Sequence, residues 1–199
     1  MGDRTAHWER VYETKSPQEV SWTQNVPRTS LDFIEKYAPN KSAKIIDVGG
    51  GDSNLVDHLL NLGYNNLTVL DISSKAIERA KERLGEKASK VNWIVSDITA
   101  FEPEQEYDLW HDRAAFHFLT SDEDIRYYES MINEFARCVV LGTFSTDGPL
   151  KCSGLEITQY SEDKLTKVMS TYEVREFLTE DHKTPFDTLQ NFIFGVFER

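Results

Sequence analysis

Ten residues, Lys44-Ile45-Ile46-Asp47-Val48-Gly49-Gly50-Gly51-Asp52-Ser53, constrain the fold more than any other stretch of the chain. An apolar run ending in an acid, then three glycines, then an amphipathic segment, reads as a strand, a tight turn and a helix. Glycine serves there because a side chain would hold the backbone away from a bound ligand. Asp47, at the carboxyl end of the strand, sets a negative charge in the crevice where open α/β sheets take their ligands. That charge suits a cationic guest.

A dinucleotide is the obvious competitor, and its pyrophosphate wants a bare helix N-terminus and the pattern G-x-G-x-x-G. Here Gly49-x-Gly51 is followed by Ser53-Asn54, so the third glycine is absent. Asp47 and Asp52 would repel a diphosphate, whereas the ammonium and sulfonium of S-adenosylmethionine would be attracted.

A chain of 199 residues is most simply one α/β domain with a substantial core. The net charge of −12 disfavours nucleic acid, whose binding normally needs a basic face. A basic protein segment or a small molecule fits better. Of the two cysteines, Cys138 opens an apolar strand-like run and Cys152 sits in a Gly/Pro/Ser loop, so a reducing compartment is expected. Residues 1–15 are too polar for a signal peptide and no apolar run approaches a membrane span. A soluble, cytoplasmic protein without a membrane partner is the expectation.

Taken in order, His7-Trp8-Glu9-Arg10-Val11-Tyr12 puts Trp8 and Tyr12 on one helical face, and Trp22 follows in a loop. These aromatics either cover the core or form a lid, where ring faces would attract a sulfonium and exclude water. A helix is predicted from about 29 to 37, with Leu31, Phe33, Ile34 and Tyr37 apolar and Pro39 stopping it. After the glycine turn, Leu55, Val56, Leu59, Leu60 and Leu62 form an apolar stripe ending near Gly63. A second strand, 67–70, ends in Asp71-Ile72, and Ser73 caps a helix to Leu84. Asp71 can accept both ribose hydroxyls of an adenosine ligand, or share in capping that helix. The third strand, 91–95, ends in Ser96-Asp97-Ile98, where the acid can accept from an adenine amino group while Ile98 packs on the ring. Asp47, Asp71 and Asp97 thus form a row of strand-tip acids.

A fourth strand, 107–110, leads into His111-Asp112-Arg113 and on to His117-Phe118-Leu119, the edge where an acceptor should arrive. Arg113 could hold the methionine carboxylate, and Asp112, His111 or His117 could steer or deprotonate the acceptor; either histidine could instead be structural. Residues 120–123, Thr-Ser-Asp-Glu, read as a capping box opening a helix to about Phe135. A fifth strand, 139–144, gives way to a loop, 145–154, read as a surface loop or a substrate lid, and a helix from 161 to about 169. Two strand-like runs, 172–178 and 189–197, close the chain around a turn containing Pro185.

With these residues in place, nearly the whole chain resembles the class I S-adenosylmethionine-dependent methyltransferases, and more narrowly the branch that includes elongation-factor and citrate synthase lysine methyltransferases. Trp8, Tyr12 and Trp22 match that branch's opening Trp-x-x-x-Tyr and later Trp. The resemblance implies a Rossmann-like α/β fold with a seven-stranded, mostly parallel sheet, order 3-2-1-4-5-7-6, the last strand antiparallel and helices on both faces. It implies a helical cap at 1–40 and a methyltransferase domain at 41–199. It maps cofactor contacts to Trp8, Tyr12, Trp22, Gly49, Asp71, Ile72, Asp97 and Ile98, to which the residue reading adds Asp47, Gly51 and Arg113. The branch often carries Asp/Glu-Lys-Gly after the fourth strand; here Asp112-Arg113-Ala114 keeps the cation and loses the glycine. The (Asn/Asp)-Pro-Pro-(Tyr/Phe) signature of methyltransferases acting on bases or glutamine is missing.

The function expected is methyl transfer from S-adenosyl-L-methionine, leaving S-adenosyl-L-homocysteine, with no metal, to a protein lysine or a small molecule. The acceptor-side candidates are Asp112, His111 and His117. A noncatalytic cofactor-binding scaffold stays open, and a nicotinamide-dependent oxidoreductase lacks a convincing Tyr-Lys or Cys/His set.

Overall fold

The computed structural model describes residues 2–199, with side chains from Arg4 onward. Its elements are α1 (Gly2–Thr14), α2 (Arg28–Tyr37), β1 (Ile45–Val48), α3 (Leu55–Asn61), β2 (Leu67–Asp71), α4 (Ser74–Leu84), β3 (Val91–Val95), β4 (Tyr107–Arg113), α5 (Asp122–Phe135), β5 (Ala136–Phe144), β6 (Lys151–Cys152), β7 (Leu155–Glu156), α6 (Glu162–Val168), β8 (Glu173–Lys183) and β9 (Leu189–Glu198). Seven strands form one sheet in the order β3-β2-β1-β4-β5-β9-β8, and β6 pairs with β7 in a small ribbon. β1 to β5 pair in parallel, while β9 runs antiparallel to both β5 and β8. This is the Rossmann-like sheet expected from the sequence, the two tail runs supplying its last two strands.

Successive strand residues face opposite sides, so each strand feeds two cores. Ile45 joins Leu31 and Ile34 of α2 and Leu55 and Leu59 of α3 on one face. Ile46 and Val48 join Trp110 of β4, Tyr128 and Ile132 of α5 and Leu165 of α6 on the other. Both helical layers are therefore cemented by apolar burial, and fully buried side chains such as Ile34 and Trp110 would each cost about 2–5 kcal/mol if cut back to alanine.

Several boundaries depart from the sequence reading, and β8, read as ending at 178, runs to Lys183 because β9 pairs with it that far. β4 runs to Arg113, because β5 continues to pair with it as far as Arg113 opposite Gly142. β5 accordingly starts at Ala136. The cap of α5 is Ser121, whose side chain accepts from Asp124 N, and not Thr120. Leu62 falls past the end of α3 and is exposed.

Candidate functional site

The parallel strands all deliver their carboxyl ends to one edge, and a cavity opens there, enclosing about 830 Å³ with its mouth. Gly49 makes the turn out of β1 at φ +70°, a conformation side chains disfavour, and a Cβ there would stand 2.8 Å from that of Ala115. Its N–H donates to Leu70 O of β2 at 2.8 Å, which ties the turn to the next strand.

Asp71, at the tip of β2, is buried, with Oδ2 accepting Gly51 N at 2.9 Å and Oδ1 accepting Ser73 N at 2.8 Å. Each oxygen keeps a second lone pair for a ligand. Burial pushes this carboxyl up to about 6, against the downward pull of the two N–H donors. Asp97 caps a short helical turn, Oδ1 accepting Thr99 N and Thr99 Oγ1. Its Oδ2 has no protein donor among the described residues. Ile72 and Ile98 line the same cavity beside these acids.

The opposite wall is aromatic. Trp8 lies 5.7 Å from Trp22 and 5.0 Å from Phe118, both edge to face, and Tyr12 lies 6.3 Å from Trp22. α1 carries Trp8 and Tyr12 and is moored at two points. Arg4 Nη2 reaches Asp124 Oδ2 at 2.5 Å, and Glu9 accepts Ser74 N at 2.7 Å and Ser73 Oγ at 2.9 Å at the start of α4.

A smaller pocket adjoins, lined by Ser30, Asp47, His111 and Asp52 and sharing Tyr12, Trp22, Gly49 and Arg113 with the first. Here His111 Nδ1 bonds Asp47 Oδ1 at 2.7 Å and Nε2 bonds Ser30 Oγ at 2.9 Å. Asp47 Oδ2 is buried without a donor. Arg113 donates from Nη1 to Trp22 O at 3.0 Å, while its Nε and Nη2 are buried with no protein acceptor. Burial lowers this guanidinium to about 10, with the Glu180 and Asp47 carboxylates acting to raise it.

The cavity therefore gathers Trp8, Tyr12, Trp22, Gly49, Asp71, Ile72, Asp97, Ile98 and Arg113. Asp47 and His111 line the adjoining pocket instead, and Gly51 acts through its N–H on Asp71. Two acceptor-side candidates are misplaced for that work. Asp112 is fully buried, Oδ1 accepting Ala115 N and Phe116 N and Oδ2 accepting Tyr128 OH, so its bonding shapes the turn after β4. His117 is fully buried and stacked on Phe144 at 4.4 Å, behind the cavity wall, and burial pushes its imidazole down to about 3. Neither lines the cavity, so neither reaches a bound acceptor in this arrangement. Asp52 also differs from expectation, since Arg83 Nη1 at 2.9 Å and Arg79 Nη1 at 3.4 Å offset its charge, while Asp47 Oδ2 keeps no donor.

Sequence reasoning missed Arg4, Glu9, Ser30, Phe144, Cys152 and Phe192. Glu9 sat inside a quoted motif, but its partners lie more than sixty residues on; Phe192 lay in a plain apolar run.

Residues 45–141 match the profile of a methyltransferase domain family. The eEF1A lysine and N-terminal methyltransferase of Mus musculus is 24% identical over 140 residues, covering 68% of this chain and 20% of that protein. The malonyl-[acyl-carrier protein] O-methyltransferase 1 of Ilyobacter polytropus is 29% identical over 111 residues, 54% of this chain and 40% of that protein. The chain thus spans about a fifth to two fifths of the length of these curated relatives. Among solved structures, the N-methyltransferase NodS from Bradyrhizobium japonicum, in complex with S-adenosyl-L-homocysteine, superposes with a TM-score of 0.72 at 14% identity, covering 99% of each chain. That likeness is one of fold. With the profile match, it bears out the resemblance to methyltransferases read from the sequence.

Proposed function

We propose that this chain, whose residues 45–141 match a methyltransferase domain, transfers a methyl group from S-adenosyl-L-methionine to a small-molecule acceptor. One observation carries the reading: a single cavity sets Asp71 and Asp97, both with unused acceptor capacity, opposite the rings of Trp8, Tyr12 and Trp22. Asp71 would take ribose hydroxyls, Asp97 an adenine amino group, and Ile72 and Ile98 the faces of the base. The buried Asp47 oxygen and the aromatic rings suit a cationic tail and a sulfonium. When bound, the cofactor supplies a methyl carbon already activated by positive sulfur. The chain's own work is alignment, exclusion of water and a matched field. His111, Asp112 and His117 do not line the main cavity, which favours an acceptor that arrives with a free lone pair over one needing a protein base.

In this reading residues 1–40 contribute the cover and 41–199 the catalytic unit. The likeness to an eEF1A lysine methyltransferase keeps a protein lysine as a second reading. Among the described residues no helix is long and apolar enough to cross a membrane, and both cysteines are buried and free, which fits a cytoplasmic setting. The test is thermal denaturation with S-adenosylhomocysteine or NAD, followed by labelling of separated protein and metabolite fractions with radioactive S-adenosylmethionine. Stabilisation by the first ligand only, with label entering metabolites, is expected. No stabilisation by S-adenosylhomocysteine would sink the proposal; label in protein alone would move the acceptor to a protein side chain.

A further inference from the structure

Arg113 lines the cavity, bonded to Trp22 O on one side and facing the far strands of the sheet on the other. It leaves the end of β4 opposite Gly142 of β5, a partner with no side chain, and its guanidinium lies 4.8 Å from the ring centre of Phe192 on β9. β9 is two strands further from β1 than β4 is. The charge that most offsets its burial belongs to Glu180 on β8, beyond β9, with Asp47 on β1 second. Thr29 Oγ1 donates to Glu180 Oε2, Glu180 Oε1 is buried without a partner, and Arg113 forms no ion pair within 4.0 Å among the described residues.

A guanidinium with two buried, unpartnered N–H groups, set against aromatic faces, is a fork waiting for two oxygen atoms. Phe192 and Phe144, their centroids 4.7 Å apart, continue the wall beside it. We infer that Arg113 anchors an anionic group of the acceptor, so that the acceptor is a small carboxylic acid with a flat, apolar body. This rests on the methyl-transfer reading of the cavity and departs from the sequence expectation that Arg113 holds the methionine carboxylate. The methyl group passes from sulfur to a lone pair elsewhere on the acid; the S–C bond breaks with its electrons kept by sulfur, and any proton displaced goes to solvent.

The experiment uses the whole chain and three probes of one shape: benzoate, neutral benzamide and cationic benzylamine. Each is titrated by ligand-observed NMR, with and without saturating S-adenosylhomocysteine, into wild type, R113M and R113K, whose folding is checked by circular dichroism. Wild type should bind benzoate at least about tenfold more tightly than benzamide, with benzylamine weakest. R113M should lose that preference, and R113K, which keeps a donor within reach of Trp22 O, should keep part of it. Equal binding of benzamide or benzylamine, no binding of benzoate, an R113M that keeps the preference, or displacement of benzoate by saturating S-adenosylhomocysteine would overturn the inference, the last by returning Arg113 to the cofactor. A wild type that prefers benzoate yet ignores S-adenosylhomocysteine would remove the methyl-transfer reading and leave the anion site standing.

Discussion

Ala114 holds φ +71° in the turn after β4, with its N–H donated to Gly142 O at 2.9 Å. The left-handed conformation costs an alanine about 1 kcal/mol or more. Ala114→Gly should therefore raise stability by about 0.5–1 kcal/mol in urea unfolding, the relief of strain outweighing the freer unfolded chain. A loss of stability would mean that the alanine methyl packs better than its backbone suffers. At Asp71 the raised carboxyl, about 6, makes a binding prediction with a definite sign. The ionised form accepts hydroxyl donors best, so affinity for S-adenosylhomocysteine should be flat above pH 7 and fall by up to about tenfold per pH unit below 6. Calorimetry at pH 8, 6 and 5 checks this, and Asp71→Asn should bind more weakly but with a flattened profile.

α1 shows which part of an element sequence can disclose. The spacing of Trp8 and Tyr12 placed both rings on one side, and both line the cavity. Nothing local told that Glu9, between them, would seat its carboxylate on the first N–H groups of α4, accepting Ser74 N and Lys75 N. A carboxylate at a helix N-terminus satisfies donors that have no partner within the helix and meets the positive end of its dipole. Glu9→Ala should cost about 1–2 kcal/mol, read as faster amide exchange across α1 and the first turn of α4, with a smaller change in global unfolding. Exchange rates unchanged in α1 would show that Arg4 and the aromatic contacts hold the helix alone. The same division explains β4, whose extra residues exist because β5 offers a ladder, a fact held in another segment. Ser73, by contrast, was legible as a cap because its partner, Ala76 N, is three residues away.

Across the whole molecule, the alternation of strands and helices and the three strand-tip acids disclosed the sheet and the cofactor half of the cavity, because those signals are local and periodic. The other half sets Trp22, named from the sequence, against Phe144 on β5 and Phe192 on β9, residues that only strand order brings together. His117 departs from its acceptor-side expectation for a related reason, since a reactive side chain in sequence is indistinguishable from one sealed behind a wall. His117 turns that burial into a measurable property of the whole fold. Its imidazole is pushed down to about 3, whereas in the unfolded chain it titrates near 6.5. A depressed basic group contributes fully above pH 6.5, and its contribution is lost as pH falls from 6.5 toward 3, because only the unfolded state takes up the proton. The loss approaches about 1.4 kcal/mol per pH unit. Asp71 and Asp112, both raised to about 6, act in the opposite sense, their burial penalty easing as pH falls through 6. Comparing variants isolates the histidine from these carboxyls. His117→Phe keeps a ring against Phe144 and removes both unpartnered nitrogens, so it should equal or exceed wild type at pH 7.5 and gain a further 2 kcal/mol, roughly, over it by pH 5. Urea midpoints measured on both proteins across that range check it, and parallel curves would show that His117 reaches water in the native state.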